Sequence, residues 1–144
     1  MKKICIILLI VGVFISCNSV PENSAENQDV SQLQGKWLLS AVEGTPFTQT
    51  QGQKEAFIEF DTAAMQVSGN SSVNQFGGPF TVSAPGSITF SPMRSTLMAS
   101  LNMETESLLY KAFPRVSAYS IKGDVLSLLD AAGTVLIEYT KTAS

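Results

Sequence analysis

A chain of 144 residues with 44% hydrophobic side chains holds enough apolar material for one small domain with a modest core. It has no histidine and only two cysteines, Cys5 and Cys17, which excludes Ser-His-Asp and Cys-His nucleophiles, histidine acid–base chemistry and zinc sites built on His or Cys. The net charge of −3 comes with no basic stripe, which argues against nucleic acid as a partner and against electrostatic docking on anionic lipid.

At the start, Lys2 and Lys3 precede an apolar run from Ile4 to Ile15, and the small Ser16 stands directly before Cys17. This is the layout of a bacterial lipoprotein signal peptide. Residues 1–16 are expected to be removed, with Cys5 among them, and Cys17 is expected to become the lipid-bearing first residue. The run falls short of the roughly 20 apolar residues that a spanning helix needs. Ordinary signal-peptidase cleavage after Ser19 is the competing reading, because Cys17 and Ser19 fit an A-x-A-like site and Phe14 stands where leucine is usual in a strict lipobox. A cysteine at the end of the hydrophobic region favours lipidation.

With Lys2 and Lys3 gone, seven basic side chains face twelve acidic ones, a net charge of −5, so any hold on the membrane must come from acyl chains. Asn18 avoids the aspartate that retains some lipoproteins in the inner membrane, which points to the outer membrane. Residues 17–32 are mostly Asn, Ser, Pro, Glu, Gln and Asp and read as a flexible tether, spanning roughly 20 Å if unordered.

The domain is expected over 33–142, and its pattern is mostly strand. A strand over 36–42 places Trp37, Leu39 and Ala41 on one face; a second over 56–61 alternates Ala56, Ile58 and Phe60 against Phe57, Glu59 and Asp61. A hairpin turn at 61–64 leads into a strand at 65–69. The run 76–80, Phe-Gly-Gly-Pro-Phe, predicts a bend or bulge that launches a strand at 80–83, and Ala84–Pro85–Gly86 turns into another at 87–90. Two hairpins close the chain, with strands at 118–122, 125–129 and 134–140 and turns at 123–124 and 130–133.

One segment breaks the two-residue period. Asn102 is placed to cap a helix beginning near Met103, with Glu104 and Glu106 at its positive end, Leu108, Leu109, Ala112 and Phe113 at helical spacing, and Pro114 closing it. The prediction is therefore an α+β domain: a curved antiparallel β-sheet or partial barrel of about seven to eight strands with one packed α-helix.

Few side chains invite a catalytic reading. Glu104 and Glu106 lie two apart on a helix, point in different directions and read as helix N-terminal charge. Glu59 and Asp61 share a strand face but lack an evident third ligand, so no metal site and no cofactor is expected. Asn70–Ser71–Ser72 fits a sequon but reads as turn chemistry, and nothing positions a serine beside Lys36, Lys54 or Lys111.

The segment 67–80, with Gly69, Asn74 and Gly78, resembles the signature of the META domain family, the HslJ-like bacterial heat-shock lipoproteins. Trp37 and Leu39 match its opening, Thr96 and Met98 its Thr-x-Met segment, and Val116, Tyr119, Ile121, Gly123, Leu126 and Leu128 its ending, so the resemblance covers roughly 33–140. Val73 and Ser100 stand where that pattern has cysteines, so no redox or metal role of such cysteines carries over. Gly69, Asn74, Gly78, Thr96 and Met98 read as structural: glycine for positive φ or close backbone approach, Asn74 and Thr96 for bonds to loop backbone, Met98 for core filling.

The resemblance implies a single α+β domain tied to envelope or heat stress without an enzymatic activity. The expectation is a lipid-anchored, non-enzymatic envelope protein that binds another envelope component. The alternative is a carrier of a lipid or small hydrophobic ligand in a cavity of the curved sheet.

Overall fold

A computed structural model describes residues 29–100 and 103–142. The signal peptide, Cys17, most of the tether, and Asn102 lie outside the described residues. The first described element is a 3₁₀ turn at Val30–Leu33, where the Asp29 side chain accepts a hydrogen bond from the Ser31 N–H. Leu33 is buried and Val30 packs against the core, so the last residues assigned to the tether belong to the domain.

Ten antiparallel strands and one helix follow: β1 (Gly35–Val42), β2 (Thr45–Pro46), β3 (Ala56–Asp61), β4 (Gln66–Ser71), β5 (Gln75–Thr81), β6 (Thr89–Phe90), β7 (Arg94–Ser95), α1 (Glu104–Ala112), β8 (Ala118–Lys122), β9 (Val125–Leu129) and β10 (Val135–Lys141). Eight of them form the order β6-β5-β4-β3-β1-β10-β9-β8; β2 pairs with β1 and β7 with β5. The sheet curls until its ends meet. Ser87 forms an antiparallel bridge to Ala118, the Ile88 N–H donates to Ser117 O at 3.1 Å, and the Tyr119 N–H donates to Gly86 O at 2.8 Å. The result is an α+β domain whose sheet is nearly closed into a barrel.

Alternation sets which face turns inward. In β3, Ala56, Ile58 and Phe60 are buried while Glu59 and Asp61 are exposed. Trp37, Leu39, Phe80, Leu126, Leu128, Leu136 and Tyr139 join them, so the interior of the sheet is filled by side chains. Burying each large apolar side chain contributes about 2 kcal/mol. The Trp37 indole N–H donates to Leu33 O at 2.8 Å, which satisfies its one polar atom and ties the entry turn to β1.

The strand around the Gly-Gly-Pro run differs from the expected bend. β5 passes straight through Gly77, Gly78 and Pro79 while staying paired to β4. The physical reason lies on its other edge, where β7 pairs at Phe76–Gly77 and β6 at Phe80–Thr81. Pro79 falls between the two, where no ladder bond needs its missing N–H. A Cβ on Gly69, one strand over, would lie 2.3 Å from Phe57 O and 2.5 Å from Phe76 Cζ, so this glycine serves close approach rather than positive φ.

The helix begins at Glu104, and Met103 at its N-cap makes no side-chain capping bond. A 3₁₀ turn at Phe113–Arg115, holding Pro114, ends it. α1 packs against β1, β4 and β10, burying Glu106, Leu109 and Ala112 on one stripe. No helix among the described residues is long and apolar enough to cross a membrane.

Candidate functional site

The β4–β5 turn is built from polar residues that are all buried: Asn70, Ser71, Ser72 and Asn74, with Val73 between them. Asn70 Oδ1 accepts from the Ser72 N–H at 2.9 Å, and the Ser71 N–H donates to Asn74 O at 2.8 Å. Ser72 is forced to φ 80°, a left-handed conformation that favours glycine, and its buried hydroxyl has no hydrogen-bond partner. The Asn70–Ser71–Ser72 run is thus turn chemistry in a buried setting.

Asn74 organises the site by using its whole amide. Its Oδ1 accepts from the Thr96 hydroxyl and the Met98 N–H, both at 2.7 Å. Its Nδ2 donates to Met98 O at 3.0 Å and to the Glu106 carboxylate at 2.9 and 3.1 Å. The amide therefore pairs with the Met98 backbone as a neighbouring strand would. Thr96 locks the same junction, because its Oγ1 accepts from the Gln75 N–H at 3.1 Å and its own N–H donates to Gln75 O at 3.0 Å. Together they pin the segment 91–98 beside the barrel.

Glu106 completes the cluster from the helix. Its side chain is buried and receives the Ser71 hydroxyl as well as the Asn74 amide. The Ser71 hydroxyl also lies 3.1 Å from Asn74 O, so the three side chains form one cluster. The ion pairs among the described residues are Lys36–Glu55, Arg115–Glu43 and Arg115–Asp130, and none includes Glu106.

Between the pinned segment and α1 runs a groove of about 560 Å³. Phe90, Pro92, Met93, Leu97, Phe113 and Pro114 supply its apolar wall, while Ser95, Thr96, Tyr110 and Glu106 supply polar atoms. The Ser95 and Tyr110 hydroxyls meet at 2.6 Å, linking the groove's two sides. The Phe113 ring meets Phe76 at a tilt and Phe90 edge-on, each with centroids 5.3 Å apart, so the floor is continuous with the core. Leu97, at the lip, is 98% exposed. A second groove of about 580 Å³ is lined by Gln66, Val67, Gly77, Gly78, Pro79 and Arg94, without a buried carboxylate.

The structure brings Asn74, Thr96 and Met98 together and leaves the other motif residues elsewhere. Trp37 sits in the barrel core, Gly69 under Phe76, and Gly78 against Met93, whose Sδ would lie 3.2 Å from an added Cβ. Met98 is about half exposed and contributes its backbone, not core volume as expected, because Asn74 bonds its N–H and C=O. Val73 is buried while Ser100 is exposed. Of the carboxylates weighed on β3, Asp61 accepts from the Ala63 and Ala64 N–H groups and serves the turn. Among the described residues no group of three or more His, Cys, Asp and Glu is placed to hold a metal ion.

Sequence reasoning read Glu106 as helix N-terminal charge, and it does lie in the first turn of α1, but its burial within the polar cluster was missed. The signal was present: Glu106, Leu109 and Ala112 recur at intervals of three, on the buried face of the helix.

Solved structures share the fold, among them two NMR structures and one crystal structure. One NMR structure is 23% identical, covers 76% of this chain and 92% of its own, and superposes with a TM-score of 0.60. An NMR structure from Burkholderia xenovorans is 20% identical, with 78% and 86% covered and a TM-score of 0.60. A crystal structure of a DUF4847 family protein from Bacteroides vulgatus is 13% identical, with 78% and 95% covered and a TM-score of 0.53. Among curated proteins no sequence matches. The META domain family model matches residues 30–143, which takes in nearly all of the described residues, and the chain belongs to the META domain family.

Proposed function

We propose that this chain is a lipid-anchored protein of the bacterial cell envelope, held by Cys17 in the outer membrane, that acts by binding rather than by catalysis. The groove between 91–97 and α1 is its binding site. One observation carries the reading: an apolar groove of about 560 Å³ whose outer wall is fixed in place by the Asn74–Thr96–Glu106 cluster. That volume falls within the roughly 300–1,000 Å³ of small-molecule sites. Of the two occupants considered, a small hydrophobic molecule therefore fits better than an envelope protein. The site lies beside the helix, not within the curved sheet, whose interior is packed.

Native mass spectrometry of the protein gently extracted from membranes tests the binding reading. A retained apolar molecule is the expected result, and a clean ligand-free mass with no uptake of added hydrophobic compounds counts against it. For the anchor, Cys17→Ala should move the protein from the membrane to the soluble fraction; unchanged attachment would overturn that part.

A further inference from the structure

We infer that the groove selects an amphiphile with a cationic ammonium head, bound with the head at the Glu106 carboxylate and the tail along Phe90, Met93, Leu97 and Phe113. The inference rests on the groove being the binding site and deepens that reading by naming the ligand's charge. Glu106 lines the groove yet is only 5% exposed, and no cation pairs with it among the described residues. Buried carboxylates are normally matched by a cation, since hydrogen bonds alone leave the charge uncompensated. Ser71 and Asn74 hold the carboxylate in position and leave part of its acceptor capacity open.

The position at the third residue of α1 offsets part of the charge through the helix N-terminus, but a full counter-ion is still missing. An ammonium group entering the groove supplies that counter-ion while its chain covers the apolar wall. An anionic head would meet Glu106 with like charge and gain only the wall.

The test uses the full mature chain and three ligands of equal chain length, decylamine, decanol and decanoate, each below its aggregation concentration, titrated by calorimetry. The amine should bind one per chain and about tenfold more tightly than the alcohol, with the acid weakest. In Glu106→Gln the amine's advantage over the alcohol should vanish. The wild-type ranking stands without that variant, so a Gln substitution that fails to fold leaves the test intact. Leu97→Lys, at the exposed lip, should weaken the amine selectively and so place it in this groove. Equal binding of amine and alcohol, or preference for the acid, overturns the inference while sparing the groove. Binding of none of the three overturns both.

Discussion

The half of the barrel made by β8, β9 and β10 and the end made by the β4–β5 turn, the 91–98 segment and α1 are held by different forces. In the first, every inward position is apolar or aromatic, and even the Tyr139 hydroxyl is buried without a partner, which pushes its phenol far above the usual range. In the second, Asn74, Thr96, Ser71 and Glu106 form a buried network in which each group depends on the next. Each region leaves one buried hydroxyl idle, Tyr139 in the first and Ser72 in the second, but the first is otherwise held by non-directional packing. The polar end fixes one geometry and would lose it if any member left. A rigid groove wall is built where directional bonds are, not where the core is thickest.

The sharpest way to break this contrast is Asn74→Ala. It removes the anchors of Met98 and Thr96 and leaves Glu106 with Ser71 alone among its observed partners, so urea unfolding should show a loss of about 3 kcal/mol or more. A loss below about 1 kcal/mol would mean the network is decorative. Next comes Gly69→Ala, where the new methyl must displace Phe76 and the Phe57 carbonyl; a cost of about 2 kcal/mol is expected in the same measurement.

Tyr139→Phe deletes a polar atom from the other half. Its thermal midpoint should hold or rise, by no more than about 1 kcal/mol in stability, and a clear fall would show a hidden partner for that hydroxyl. The smallest effect concerns the turn between β9 and β10. There the Thr134 N–H first, then the Ala132 N–H and Arg115, hold the Asp130 carboxylate below its usual range. Its contribution is fully present above the ordinary carboxylate range and fades as pH falls through the lowered value. Asp130→Asn should therefore narrow the gap between variant and wild type on acidification, read from unfolding midpoints across pH.

The strands of the apolar half were legible because period-two alternation survives in 125–129 and in 137–139 beyond the irregularity at Leu136–Ile137, and Gly123 and Gly133 mark their turns with positive φ. Strands of two residues, such as β2 and β7, carry no period to detect. The run at Pro79 misled because the identity of its edge partners is a tertiary fact. The site was half legible. Asn74 and Thr96 stood out by motif, but their common partner Glu106 is separated from Asn74 by 32 positions, and only the fold shows that the helix delivers it there. Local charge rules placed that glutamate at the helix N-terminus, where it is, but carry no information on its burial against a polar turn.

The short bridge between Ser87 and Ala118 has a consequence for crowding. An open sheet offers two rows of unpaired amides to any neighbour, and here the segment 86–88, leading into β6, covers the start of β8 at 117–119. Under the proposed lipid anchoring, copies held in one plane would meet far more often than in free solution. Curling the sheet onto itself shortens the template that such encounters would propagate, so closure would then protect the population as well as the fold.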